Sequence, residues 1–191
     1  MPDRGVCRCC APPLPGDPLP GRPGRRNLLK ALGFAGLAAS LPISGWAASG
    51  WAAEGDYEAM LLSCIDPRMV TPVYDYMQKG GLAGKYSQFV IAGAAIAVVA
   101  PKFAAWRPAF WDNLATSVEL HHLKSIIAID HRDCGAARIA YGADSIANPQ
   151  IETKTHREVL AEFRAAVAQH HPQLTVETGL MALDGSIQMF G

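Results

Sequence analysis

The sequence predicts an α/β domain: a mainly parallel central sheet flanked by helices, with a C-terminal strand or hairpin at its edge. Two patterns predict it. Short apolar runs of strand length alternate with longer stretches in which apolar residues recur every three or four positions, as βαβ units require. Near the end, strand-like material is interrupted by Asp184-Gly185, a hairpin turn signal. No internal repeat of solenoid or propeller period competes with this reading.

The domain is expected over residues 54–191, behind a leader at 1–53. The first 24 residues are rich in Pro, Gly and Arg and carry no apolar periodicity, so they cannot offset the entropy of ordering. Arg25-Arg26-Asn27-Leu28-Leu29-Lys30 then opens a mild apolar run to about Trp46, followed by small residues from Ala47 to Ala53. A charged start, a short apolar stretch and a small-residue zone compose an export signal. The paired arginines resemble the twin-arginine type, which implies a periplasmic destination. The run is too short and too weakly apolar to read as a span, so no stable membrane insertion of the mature chain is expected. Cys7, Cys9 and Cys10 lie in this leader, which leaves Cys64 and Cys134 for the domain.

Charge divides at the same place. Residues 1–53 hold six Lys/Arg against two Asp/Glu, and residues 54–191 hold eleven against fifteen. A mildly acidic domain without a basic stripe argues against nucleic acid as a partner.

Within the domain, Glu58–Ser63 is a short apolar run, read as a buried strand. Residues 67–79 read as a helix: Pro67 suits a helix start, Met69, Val73 and Tyr76 fall at helical spacing, and Gly80-Gly81 stops it. Ser87–Ile91 is a second strand. The Ile91–Val99 stretch, apolar and small, reads as core or subunit interface. Residues 103–122 form a long helix with Trp106, Phe110, Leu114 and Val118 on one stripe. Ser125–Asp130 is a third buried strand. Residues 152–169 make a further helix with Val159, Phe163 and Val167 in register, and Leu174–Phe190 supplies the terminal strand material.

In a parallel sheet, sites form beyond the carboxyl ends of the strands. Cys64 directly follows the first strand, His131 follows the third, and Cys134 comes three residues later. If those strands are neighbours, the three side chains converge. Two thiolates and an imidazole favour Zn2+, and three protein ligands leave the fourth tetrahedral position to water, the pattern of catalytic sites. Asp66 and Arg68 stand beside Cys64. A carboxylate so placed can accept a hydrogen bond from metal-bound water, and an arginine can hold it ionised through a charge-assisted fork. Zinc brings the pKa of bound water to about 7. Two plainer readings stay open. Cys64 and Cys134 could form a disulfide in an oxidising compartment, and Asp66 with Arg68 could be a helix-start pair without catalytic duty.

Cys64-x-Asp66-x-Arg68 followed by His131-x-x-Cys134-Gly135 resembles the β-class carbonic anhydrases. The passage Ser117–Ile127 is similar to the stretch that leads into that family's His-x-x-Cys loop. The resemblance covers about residues 56–190. It implies zinc held by Cys64, His131 and Cys134, an Asp66–Arg68 dyad, reversible hydration of carbon dioxide to bicarbonate, and a homodimer or a multiple of dimers. In some members the aspartate itself closes the zinc site and is released when the arginine pairs with it.

The chain departs from the family pattern at several positions. Asp130 stands where Gly often precedes the zinc histidine, residues 91–95 replace an Asn-Ala-Gly turn, and Arg132 and Asp133 put charges inside the His-x-x-Cys loop. The long N-terminal helical arm of the family is absent or replaced by the signal. These changes are expected to touch pocket lining, access and assembly, and to leave the five site residues intact. Hydrolysis of carbonyl sulfide or carbon disulfide, and a non-catalytic module stabilised by zinc or a disulfide, are the alternative functions. Of the remaining histidines, His121 and His122 are expected to meet the carbonyls at a helix end. His156, His170 and His171 read as solvated, with His156 a proton shuttle if it reaches the site.

Overall fold

A computed structural model of the chain describes residues 56–191. The leader, with its twin-arginine pattern and Cys7, Cys9 and Cys10, lies outside the described residues.

The first strand, β1 (Ala59–Ser63), is buried along its whole length, which is why its sequence is continuously apolar and does not alternate. It lies inside a five-stranded sheet of order β2-β1-β3-β4-β5, with β2 at Tyr86–Val90, β3 at Ser125–His131, β4 at Thr175–Met181 and β5 at Ile187–Phe190. The first four strands are parallel, and β5 runs antiparallel to β4. This is the expected mainly parallel sheet with a C-terminal hairpin at its edge. Asp184 shapes the hairpin turn: its Oδ1 accepts the Ser186 N–H at 2.9 Å and the Ser186 hydroxyl at 2.7 Å.

Period-two alternation sends the sheet's apolar residues to two cores. Ala59, Leu61, Ile127, Ile129 and Met181 face α1 (Val70–Lys79), which contributes Val73 and Met77, with Met69 just before it. Met60, Leu62, Ile126 and Ala128 face the opposite layer. That layer holds α2 (Ala95–Val99), α3 (Arg107–His121), α4 (Gly135–Tyr141) and α5 (Pro149–His170). Phe110, Leu114, Leu160, Phe163 and Val167 are fully buried there, each such side chain contributing about 1.5–3 kcal/mol.

Helix boundaries differ from the sequence reading where proline acts. The expected 103–122 helix is two pieces, a 3-10 segment Pro101–Trp106 and then α3, because Pro108 suits only the first turn of a helix. Trp106 therefore leaves the predicted stripe and stacks on Phe103 with ring centroids 4.5 Å apart. The last helix begins earlier than expected, at Pro149, where Asn148 accepts the N–H groups of Gln150 and Ile151. Most of the Ile91–Val99 stretch is core: residues 93–99 are buried, every residue of α2 among them, while Ile91 and Ala92 are half-buried. The His121 and His122 rings do not meet helix carbonyls. His121 packs edge-on to Tyr57, and His122 pairs with Asp56.

The strand order reverses at β1, since β2 lies on one side of it and β3 on the other. Connections therefore leave β1 and β3 in opposite directions and open a crevice beyond their carboxyl ends. No helix among the described residues is long and apolar enough to cross a membrane.

Candidate metal centre

Cys64 follows β1 at the crevice, His131 closes β3, and Cys134 precedes α4. Register does the rest. Ser63 lies opposite Ile129 on the neighbouring strand, so the chain beyond both ends arrives at one place. The ligating atoms of Cys64, His131 and Cys134 all lie within 4.8 Å of one another. His131 and Cys134 are buried at 1% exposure and Cys64 nearly so at 9%. Both cysteines are free thiols.

The donor set suits a thiophilic cation. His131 Nδ1 faces the Arg132 carbonyl at 2.8 Å, which places its proton on Nδ1 and leaves Nε2 with a lone pair. That Nε2 is buried and has no hydrogen-bond partner. A buried orphan nitrogen beside two thiols is costly unless it ligates. The facing Cys134 thiol holds Cys64 well below the ordinary thiol range, against the opposing effect of burial, and the Gly93 N–H adds to this at 3.2 Å from the sulfur. Cys134 is pushed up by the same contact and by burial. Burial pulls His131 down, but the Cys64 sulfur outweighs it and raises its pKa. The pocket already favours one thiolate, and a bound cation favours the second.

Asp66 and Arg68 meet as expected. Asp66 Oδ1 accepts the Arg68 backbone N–H at 2.9 Å and Nε–H at 3.0 Å, and Oδ2 accepts from Nη2 at 2.7 Å. These bonds hold the carboxyl down to about 2. Its Oδ2 stands 4.0 Å from His131 Nε2. A cavity of about 280 Å³ opens on the cluster, lined by Ile65, Pro67, Ala92 and Ala136 beside Cys64, Asp66 and His131.

The departures from the family pattern do not line this cavity, apart from Ala92 in the 91–95 turn. Arg132 turns away to α5, bonding Glu152, Thr153 and the Pro149 carbonyl. Asp133, at φ 57°, pairs with Arg68 Nη1 at 2.8 Å, and Glu152 accepts its backbone N–H. His156 is not solvated. It is fully buried, and its Nδ1 bonds Asp130 at 2.8 Å. Sequence reasoning missed Glu152, Asp133 and Gly93 as supports. The signal for Glu152 and His156 was present, because extending the Val159–Phe163–Val167 stripe backwards at helical spacing lands on both.

No family model matches the chain. Two relatives do. An uncharacterised protein of Rickettsia conorii is 33% identical over 129 residues, spanning 68% of this chain and 69% of that protein. An uncharacterised protein of Rickettsia bellii is likewise 33% identical over 129 residues, spanning 68% and 79%. The chain belongs to the family of these rickettsial proteins. Among solved structures it is similar to a tetrameric β-carbonic anhydrase of Sordaria macrospora. The TM-score is 0.51 at 13% identity, over 73% of this chain and 83% of that one. What is shared is the fold alone: this chain has the α/β architecture of that β-carbonic anhydrase.

Proposed function

We propose that this chain is an exported zinc enzyme that reversibly hydrates carbon dioxide to bicarbonate. The observation that carries the reading is the convergence of Cys64, Cys134 and the orphaned His131 Nε2, with an ionised Asp66 beside them, at the switch point of this fold. Cys64, His131 and Cys134 would hold the metal. Zinc, when bound, supplies a Lewis acid that makes hydroxide available near neutral pH.

The chain's own residues do the rest. Arg68 keeps Asp66 ionised, so its oxygens can only accept a hydrogen bond. Asp66 Oδ2 would hold the proton of the attacking hydroxyl away from the substrate carbon. Because Arg68 occupies both carboxylate oxygens, the arrangement supports the open form of the site over one closed by Asp66. Apolar walls from Ile65, Pro67, Ala92 and Ala136 suit a small uncharged linear molecule and give no purchase to a bulky polar one. Export by the twin-arginine route, and assembly as a dimer or a multiple of dimers, complete the proposal.

Metal analysis coupled to a stopped-flow hydration assay tests it. The wild-type chain should hold about one zinc, as a three-ligand catalytic site requires. Cys64→Ala and His131→Ala should lose metal and activity together. Asp66→Asn should keep the metal and lose activity. Stoichiometric zinc without hydration of carbon dioxide would sink the reading, and turnover of carbonyl sulfide or carbon disulfide in the same assay would redirect it. Full activity in Asp66→Asn would remove Asp66 from the mechanism.

A further inference from the structure

A second polar pair lies directly behind the cluster, where the sequence departs from the family pattern. Asp130 precedes His131 on β3, and its side chain and that of His156 on α5 are both wholly buried. Asp130 Oδ2 accepts the His156 Nδ1–H at 2.8 Å, and Oδ1 accepts the Ala95 N–H at 3.0 Å. A buried carboxylate is costly to keep unless its oxygens are satisfied. Here both are spent at one point, joining β3, α5 and the start of α2.

The Ala95 end of that junction matters because of what precedes it. Gly93, at φ 85°, donates its N–H to Cys64 Sγ at 3.2 Å. A Cβ at Gly93 would stand 2.7 Å from Ala136 Cβ, so the turn is pressed against α4. Ala94 then takes φ 48° and ψ −113°, a conformation that is strained for an alanine and persists only when its surroundings impose it. Asp130 is the side chain that holds the next N–H in place.

We propose that Asp130 and His156 are a positioning pair: by anchoring Ala95 they hold the strained 91–95 turn so that the Gly93 N–H stays on the Cys64 sulfur. The pair touches neither substrate nor cavity. It acts on the metal centre through the backbone, and it rests on the reading of Cys64, His131 and Cys134 as metal ligands. His156 orients Asp130, so replacing the histidine should loosen a turn on a different element.

Three variants test this in the full-length protein. His156→Leu removes the donor, Asp130→Asn weakens the acceptor, and His156→Asn keeps an N–H near the position of Nδ1. Zinc release to a chelator should quicken roughly 10–100-fold in the first two, the usual cost of losing a ligand's support, and stay near wild type in His156→Asn. In cobalt-substituted protein, the sulfur-to-cobalt charge-transfer band should shift in the same two variants. A merely structural pair would lower the melting temperature and leave band and release rate unchanged, and that result overturns the proposal. Amide exchange at Gly93 and Ala95, measured without metal, judges the anchoring independently of zinc. It should be at least about tenfold faster in His156→Leu than in His156→Asn, as loss of a local anchor implies; equal rates overturn the proposal. A wild-type chain that binds no metal fails the proposed function, and the exchange rates still decide the pair. If His156→Leu does not fold, His156→Gln takes its place, since its longer amide cannot place a donor at the Nδ1 position.

Discussion

Arg68 holds two carboxylates at once: Asp66 at 2.7 Å and, across the crevice, Asp133 at 2.8 Å, with the Asp133 carbonyl at 3.2 Å. Its side chain is 44% exposed, and exposed ion pairs contribute only about 0–1 kcal/mol to stability. The geometry therefore serves orientation. One planar fork fixes the carboxylate beside the cluster and ties it to the loop that carries His131 and Cys134. Lysine is a point charge and cannot make this fork. Arg68→Lys should keep its zinc and its melting temperature while kcat falls by roughly 10–100-fold, the scale of lost outer support. Asp133→Ala should cost less, because the Asp66 arm survives. Paired metal analysis and steady-state kinetics check both, and an undiminished kcat in Arg68→Lys would show that charge alone suffices.

At the scale of elements, the hairpin that ends the sheet depends on Asp184. Its pKa is lowered first by the Ser186 hydroxyl and then by the Ser186 N–H. The sign follows from the depressed folded value. The stabilisation is fully present above the unfolded carboxylate range, about 3.9, and is lost as pH falls through the lower folded value. The urea midpoint of the wild type should therefore drop on acidification below pH ~4 by more than that of Asp184→Asn, which has no such proton to bind. Parallel acid profiles for the two proteins would exclude the turn as a contributor. The same turn was legible in the sequence as Asp-Gly between strand-like runs, and β1 and β3 were legible because burial on both faces gives each an unbroken apolar run, Ala59–Leu62 and Ile126–Ile129. The positions of Cys64, Asp66, Arg68, His131 and Cys134 were legible for a related reason: each sits at the end of a strand that could be placed, or a few residues past it. The breaks were less visible. Pro108 divides a stripe that periodicity alone makes continuous, and α2 and α4, at five and seven residues, are too short to display a helical period. His156 was misplaced because polarity was taken as exposure, although it stands with Glu152 on the buried stripe of α5, where Asp130 bonds its Nδ1 and Glu152 accepts the Asp133 backbone N–H.

For the whole molecule, the open question is what covers the β2 side of the sheet. Among the described residues β2 is an edge strand, and beside it lies a groove of about 380 Å³ lined by Ile65, Val70, Tyr74 and Val90. These four are exposed at 60%, 68%, 54% and 46%, although each is large and apolar. An unpaired edge with an apolar flank is a liability that proteins cover or blunt. The flank carries no lysine or proline on β2 itself, whose sequence is Tyr-Ser-Gln-Phe-Val. Ile65 and Cys64 line this groove as well as the cavity over the cluster, so whatever covers the edge also narrows the approach to the metal centre. A second copy of the chain fits these demands, since a two-fold axis lets one self-complementary patch cover itself on both subunits. Light scattering of the purified domain should therefore give at least twice the mass of one chain. Val90→Lys with Tyr74→Glu should shift it toward the monomer and reduce hydration activity while leaving zinc content unchanged. A wild-type monomer with full activity would instead mean that the edge is tolerated bare and that one chain completes the site alone.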